Sequence, residues 1–313
     1  MENKTLLAIL QVLKNHENEI IGSREISREL KLYGVNLSER TVRYHLRILD
    51  ERGLTEAFGK EGRRITEKGK EELSLSMVSD RVGFIISRID TLSYLTRLDL
   101  DSMKGQIILN ISYIEKRRLK DALRAMKPVF SSPYVMSDRV ALADEGERLG
   151  DVVVPEGMVA FGTVCSVTIN GVLLKEGIPV TSRFGGVLEI DKKGPKRFVA
   201  LISYEGSSLD PLEVFIRGKM TDVQGAIRNS RGRVLASFRE IPVVCYERTL
   251  EIAERLKDRG IGGILSIGEP NSPHYEMPVG LDRAGMVIVG GLNPLAAVEE
   301  RGIPTESKAM STL

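Results

Sequence analysis

At 313 residues the chain can hold more than one domain, each with a buried core, and its net charge of only +2 confines any nucleic-acid footprint to a local patch. Two distant cysteines, Cys165 and Cys245, and three scattered histidines, His16, His45 and His274, argue against a disulfide scaffold and a metal or histidine-based hydrolytic site, and point to a reducing cytoplasm. No apolar run is long enough to span a bilayer, and the charged opening MENKTLLAILQVLK does not read as a signal peptide, so no membrane partner is expected.

Leu6, Leu7, Ile9, Leu10 and Leu13 give the first helix an apolar face. Ser23 reads as the N-cap of a second, short helix with Ile26 and Leu30 inside, and Gly34 breaks the chain after it. The third helix starts at Ser38, another N-cap, and stops at Gly53. At about 100° per residue, Arg40, Arg43, Tyr44 and Arg47 share one sector, while Val42, Leu46 and Leu49 lie opposite. TEAFGKEGRRITEKG then reads as a strand, a Gly59–Gly62 turn and a second strand around Ile65.

Three helices and a glycine-containing hairpin make a winged helix-turn-helix. That order turns the basic stripe of the third helix into a recognition surface for the major groove of double-stranded DNA. From Arg40 to Lys70 there are nine Lys/Arg against five acids. Ser38, Glu39, Arg40, Thr41, Arg43, Tyr44 and Arg47 are the candidate groove contacts. An arginine can fork to guanine O6 and N7, and a glutamate can accept from cytosine N4. Lys60, Arg63 and Arg64 are expected at the wing tip, against phosphates or the minor groove. His45, at the edge of the apolar face, is expected to pack.

The remainder resembles itself. Segments from Asp80 and Asp210 both read as an amphipathic opening, a strand, a turn with Gly105 or Gly232, a strand and a charged helix. SSPY at Ser131 is echoed by NSPHY at Asn271, GMVAFG at Gly157 by GMVIVG at Gly285, and EGIP at Glu176 by RGIP at Arg301. The fold class expected is α+β: a winged helix over residues 1–71, a linker over 72–80, and an internally duplicated, layered α/β regulatory module with units 81–205 and 206–313. No glycine-rich dinucleotide loop or Walker A loop is present.

VCSVTIN alternates like a strand, with Asn170-Gly171 as a hairpin turn. TSRFGG beyond it gathers hydroxyls, a guanidinium and small residues whose backbone N–H groups suit a carboxylate or phosphate. Cys165, Ser166, Thr168, Thr181, Ser182, Arg183, Gly185 and Gly186 are therefore the candidate effector contacts. SYEGSSLDP, from Ser203, reads more simply as a helix start at Pro211. Nothing in the sequence resembles a nucleophile–base pair or an acid–base dyad, so no enzyme and no cofactor is expected.

SMVSDRVGFIISRIDTLSY behind a winged helix, and GMVAFGTVCSVTINGVLLKEGIPVTSRFGGVLEI, resemble the NrpR family of archaeal repressors of nitrogen metabolism over essentially the whole chain. The resemblance implies a homodimeric repressor on palindromic operators that 2-oxoglutarate releases. Some members carry two regulatory domains in tandem and this chain carries one, which leaves a second family member open as a partner subunit. Two rivals stand beside this reading: a repressor sensing a different small anion, and an enzyme with an appended DNA-binding domain.

Overall fold

The computed structural model describes residues 2–16, 19–31, 34–75, 84–150 and 152–312. The chain divides into two compact units, Met1–Thr91 with Gly206–Ser208, and Leu92–Glu205 with Leu209–Leu313.

In the first unit, α1 (Glu2–Asn15), α2 (Ser23–Leu30) and α3 (Glu39–Glu51) precede the hairpin of β1 (Thr55–Phe58) and β2 (Gly62–Ile65), and α4 (Glu67–Leu75) follows it. This is a winged helix-turn-helix. Leu6, Leu7, Ile9, Leu10, Leu13, Ile26, Leu30, Val42, Leu46 and Leu49 close a single core. Ala8 and Val12 are fully buried too, so α1 is enclosed on more than the face its leucines mark. Ser38 caps α3 by accepting from Thr41 N at 3.2 Å. Gly53, at φ 70°, ends it, and Leu54 N reaches back to Leu49 O at 2.9 Å. Ser23 is not a cap: Gly22 holds that position, and Ser23 Oγ donates to Glu39 Oε1 at 3.2 Å, tying the start of α2 to the start of α3. Ile21 exchanges two backbone hydrogen bonds with Arg63, at 3.1 and 3.0 Å, and so extends the wing. A Cβ on Gly62 would lie 2.1 Å from Ile21 O, which is why glycine opens β2. The linker expected over 72–80 begins inside α4, and residues 76–83 lie outside the described ones.

His16 closes α1 onto α2. Its Nε2 lies 2.6 Å from Glu29 Oε1 and its Nδ1 3.6 Å from Glu19 Oε2, with the ring buried. Burial pulls the imidazole pKa down, but the hydrogen bond to Glu29 and the two carboxylate charges outweigh it, and the net shift is upward. A raised folded pKa means stability that is full below the unfolded value of about 6.5 and is lost as pH climbs through the folded value. Amides of α1 and α2 should therefore exchange faster in His16→Gln than in wild type at pH 6, with the gap closing by pH 8. A gap independent of pH would mean that the ring acts by packing alone.

The division between the units falls within α5 (Phe84–Leu95). The second unit continues with β3 (Ile108–Glu115), α6 (Leu119–Phe130), β4 (Val140–Ala143), the short pair β5 (Arg148–Leu149) and β6 (Val152–Val153), β7 (Met158–Val164), α7 (Val167–Lys175) and β8 (Thr181–Asp191). After β9 (Gly194–Ser203) come α8 (Pro211–Arg217), α9 (Val223–Asn229), β10 (Gly232–Pro242), α10 (Tyr246–Asp258), β11 (Ile264–Ile267), β12 (Arg283–Val289), α11 (Asn293–Glu299) and β13 (Thr305–Thr312).

Two antiparallel sheets result, ordered β13-β3-β7-β4 and β11-β12-β10-β8-β9. Each sequence repeat hands its last strand to the other's sheet. β8 leaves the first repeat to pair with β10, and β13 leaves the second to pair with β3. The two repeats consequently share one body rather than packing as two.

The structure corrects several repeat readings. β7 and β12 set Met158 against Arg283, so Gly285 stands in the place of Ala160 and the GMVAFG–GMVIVG echo is out of register. SSPY follows α6, whereas NSPHY lies between β11 and β12, so that echo joins unrelated positions. No strand precedes Gly105 or Gly232: α5 and an Asp99–Lys104 bridge lead to the first, α8 and α9 to the second. VCSVTIN is not a strand. It enters α7, and Asn170 and Gly171 sit mid-helix. That helix is buried from Val167 to Leu173, so it shows no polar face to betray its period.

Candidate functional sites

On α3, Ser38, Arg40, Arg43, Tyr44 and Arg47 are exposed, and Glu39 and Thr41 are half-buried, while Val42, His45, Leu46 and Leu49 are buried. The wheel sector is thus a continuous outer face with Tyr44, 57% exposed, among the arginines. Arg43 pairs loosely with Glu39 at 3.4 Å. Arg40 and Arg47 carry no ion pair among the described residues. Such a face, capped at Ser38 and backed by a rigid core, can present several guanidinium forks to base edges and phosphates at once.

The wing departs from expectation at Arg63. Its Nε and Nη2 donate to Asp50 Oδ2 at 3.2 and 3.1 Å, and Thr55 Oγ1 donates to Asp50 Oδ1 at 2.5 Å. Arg63 therefore braces the wing against the end of α3 instead of reaching outward. Arg64 donates to Glu56 across the strand pair at 3.1 Å and lies over the Phe58 ring, half-exposed. Lys60 is fully outward at the turn. Of the three wing cations, Lys60 is placed for phosphate without losing a partner.

The candidate effector residues separate into two groups. TSRFGG is the start of β8, not a loop. From Phe184 onward β8 is paired with β10 on one side and β9 on the other, so ladders take up the backbone groups of Gly185 and Gly186. These glycines make room instead. A Cβ on Gly185 would meet Pro211 at 2.7 Å and Tyr204 Oη at 3.1 Å, and one on Gly186 would meet Phe198 at 2.7 Å. Thr181 is exposed; Arg183, 46% exposed, has its charge answered by Glu240 at 3.8 Å. Thr168, fully buried, exchanges hydrogen bonds with Ile108 N and O at 3.0 and 3.1 Å and fastens α7 to β3.

Cys165, Ser166 and Ser182, by contrast, converge on a residue that sequence reading missed. Arg239 lies in mid-β10, only 2% exposed. Its Nη1 donates to Ser166 O at 2.9 Å and to Asn170 Oδ1, and its Nη2 donates to Ser166 Oγ at 2.6 Å. Asn170 Nδ2 in turn donates to Ser182 Oγ at 3.1 Å. Arg239 Nε has no hydrogen-bond partner, and no carboxylate among the described residues lies within ion-pair distance of the guanidinium. Burial pulls this arginine's pKa below its ordinary value. Burial also pushes the Cys165 thiol up to about 11, and pushes the Tyr204 hydroxyl far up with help from the Asp210 charge, so both are neutral. The signal that could have found Arg239 is an ionisable residue inside the apolar run VLASFREI.

Ser266 Oγ and His274 Nε2 lie 2.8 Å apart, a pair the sequence did not suggest. Burial lowers the His274 pKa, and the ring is seated against Gly268 and Gly285, where a Cβ would come within 2.6 and 3.1 Å of it. No carboxylate is hydrogen-bonded to the other ring nitrogen among the described residues. Among those residues, too, no helix is long and apolar enough to cross a membrane, and no group of three or more His, Cys, Asp or Glu side chains could hold a metal ion.

A winged helix with an exposed arginine face, followed by a duplicated α/β module enclosing an uncompensated cation, defines a DNA-binding transcription regulator with a regulatory domain. Residues 82–313 match the model of the NrpR regulatory domains 1 and 2, and residues 7–73 match that of the ribonuclease R winged-helix domain. The chain belongs to the NrpR family. It is 38% identical over 311 residues to the global nitrogen regulator NrpRI of Methanosarcina mazei, covering 99% of this chain and 95% of that one. It is 33% identical to the global nitrogen regulator NrpR of Methanococcus maripaludis and 34% identical to that of Methanocaldococcus jannaschii, and spans 54% of the length of each. The crystal structure of a nitrogen repressor-like protein from Methanococcus jannaschii superposes with a TM-score of 0.63 at 31% identity, over 73% of this chain and 94% of that one.

Proposed function

We propose that this chain is a non-enzymatic, homodimeric repressor of nitrogen-assimilation genes that holds palindromic operators and is released by an anionic metabolite, 2-oxoglutarate. The observation that carries the reading is the exposed Arg40-Arg43-Tyr44-Arg47 face of α3, joined in one chain to a module of the NrpR regulatory type. A single winged helix makes few base contacts, so operator affinity calls for two, about 34–36 Å apart on one face of the duplex. A twofold operator follows from a twofold protein. The control of nitrogen genes rests on the names of the relatives.

Selection of duplexes from a random-sequence pool by the full chain tests the first half of this reading. The recovered sites should be inverted repeats with half-sites one helical turn apart, and sedimentation of the complex should give two chains per duplex. Selected sites without twofold symmetry, or one chain per duplex, would remove the homodimer.

A further inference from the structure

We propose that Arg239 is the cationic anchor of a binding site for a small carboxylate, built once per chain where β10 of the second repeat meets α7 and β8 of the first. The inference rests on the reading that this module answers to an anionic metabolite, and it names the residues that would do so.

The first support is charge. A guanidinium taken out of water is costly unless an opposite charge and a full set of acceptors replace the lost hydration. Arg239 has acceptors only for its Nη atoms, all of them neutral, while Nε is buried without one. Asp210, whose charge is felt at Tyr204 and Cys165, caps α8 by accepting from Leu212 N at 2.9 Å and is not within ion-pair distance of Arg239. The second support is direction. Ser166, which receives two of the arginine's hydrogen bonds, is the N-cap of α7, so the positive end of a buried helix dipole adds to the guanidinium rather than offsetting it. Positive potential from two sources with no acid between them is the arrangement that an anion completes.

The third support comes from the fold's own symmetry. Arg239 stands in its sheet between Ser182 and Met286; Ser112 stands in the other sheet between Ser307 and Phe161. The turn before α11 supplies Gly290-Gly291 where Cys165-Ser166 precede α7, and Leu295 stands where α7 has Asn170. The hydroxyl, amide and guanidinium are thus all missing at the equivalent place. A scaffold role would serve both sheets, whereas a site built in one of two equivalent places is a specialisation. One formal positive charge among neutral donors, Ser182, Tyr204 and Asn170, balances one negative charge. A carboxylate fits this count, and a phosphate dianion exceeds it.

The test is a titration of the full chain labelled with ¹⁵N-arginine, following the Arg239 Nε–Hε resonance, which is assigned by its loss in Arg239→Lys. At constant ionic strength the probes are sodium acetate, 2-oxoglutarate, sodium phosphate and sodium chloride. Acetate and 2-oxoglutarate should move the Arg239 resonance saturably, with calorimetry giving one 2-oxoglutarate per chain, and phosphate and chloride should leave it in place. Arg239→Lys keeps the charge but loses the fork, and should bind 2-oxoglutarate about tenfold more weakly or worse. If that variant does not fold, the wild-type resonance decides alone. Calorimetric binding of 2-oxoglutarate with an unmoved Arg239 would overturn this site while leaving the effector reading intact. A moved Arg239 with unchanged operator affinity would keep the site and sink the effector reading. No response to any carboxylate at millimolar concentration, or an equal response to phosphate, would overturn the proposal.

Discussion

Changing Arg40, Arg43 and Arg47 together to alanine is expected to lower specific operator affinity by at least about a hundredfold while leaving the fold in place. All three side chains are exposed on α3, and the core face of Val42, Leu46 and Leu49 is untouched. The one ion pair lost, Arg43 with Glu39, lies at the surface, where such pairs are worth about 0–1 kcal/mol. Against that, a base-reading arginine contributes about 1–3 kcal/mol, and each phosphate contact removed lowers the salt slope by about one. The single variants separate these roles. A base reader should lose affinity mainly at one half-site position, and a phosphate contact should lose it alike on every sequence. Fluorescence anisotropy with a selected operator and a scrambled duplex, at two salt concentrations, measures both. Undiminished binding by the triple variant would place the DNA contact on another surface.

Gly171→Ala is expected to destabilise the second unit, although alanine is the better helix former by about 1 kcal/mol. Gly171 lies where α7 crosses α5. A Cβ there would come 2.2 Å from Thr96 Cβ, 2.4 Å from Thr96 Oγ1 and 2.7 Å from the Ser93 carbonyl oxygen. Neither neighbour can swing aside. Thr96 is branched at the offending atom and donates its hydroxyl to Leu92 O at 3.1 Å, and Ser93 offers backbone. The helices must separate, and overpacking of this kind costs about 1–3 kcal/mol or more, which exceeds the propensity gain. At roughly 2–4 °C per kcal/mol for a unit of this size, the melting transition should fall by several degrees. Leu174→Ala, further along α7 and largely exposed, should change it little. A Gly171→Ala variant as stable as wild type would mean that α5 and α7 do not meet as described.

The winged helix is legible because its signals are local. The cap at Ser38, the breaks at Gly34 and Gly53, the apolar spacing of α1 to α3 and the glycine turn of the wing each act within a few residues. What failed there depended on a partner elsewhere. The charge of Arg63 is visible in the sequence, but its pairing with Asp50 is not, because the two meet only when the wing folds back on α3. In the second unit distance dominates. The exchange of β8 and β13 between sheets is a pairing of remote segments, and no periodicity records it. Asn170-Gly171 reads as a hairpin turn because that dipeptide favours one, yet burial on all sides and the close crossing with α5 impose a helix. The polar chemistry around Cys165, Ser166 and Ser182 is legible as a cluster, but the guanidinium that organises it comes from Arg239 on a distant strand. Arg183, nearer in sequence, faces Glu240 instead.

The central claim is that operator binding and a small anion act against each other through this one chain. Linkage requires the effector to weaken operator binding by the same factor by which the operator weakens the effector. The most direct measurement is the anisotropy-derived Kd of the full chain for its selected operator, repeated across a series of 2-oxoglutarate concentrations into the millimolar range. The expected result is a saturable rise in Kd of about tenfold or more, the size of a coupling free energy of roughly 1–3 kcal/mol. A Kd that stays constant across the whole series would contradict the account.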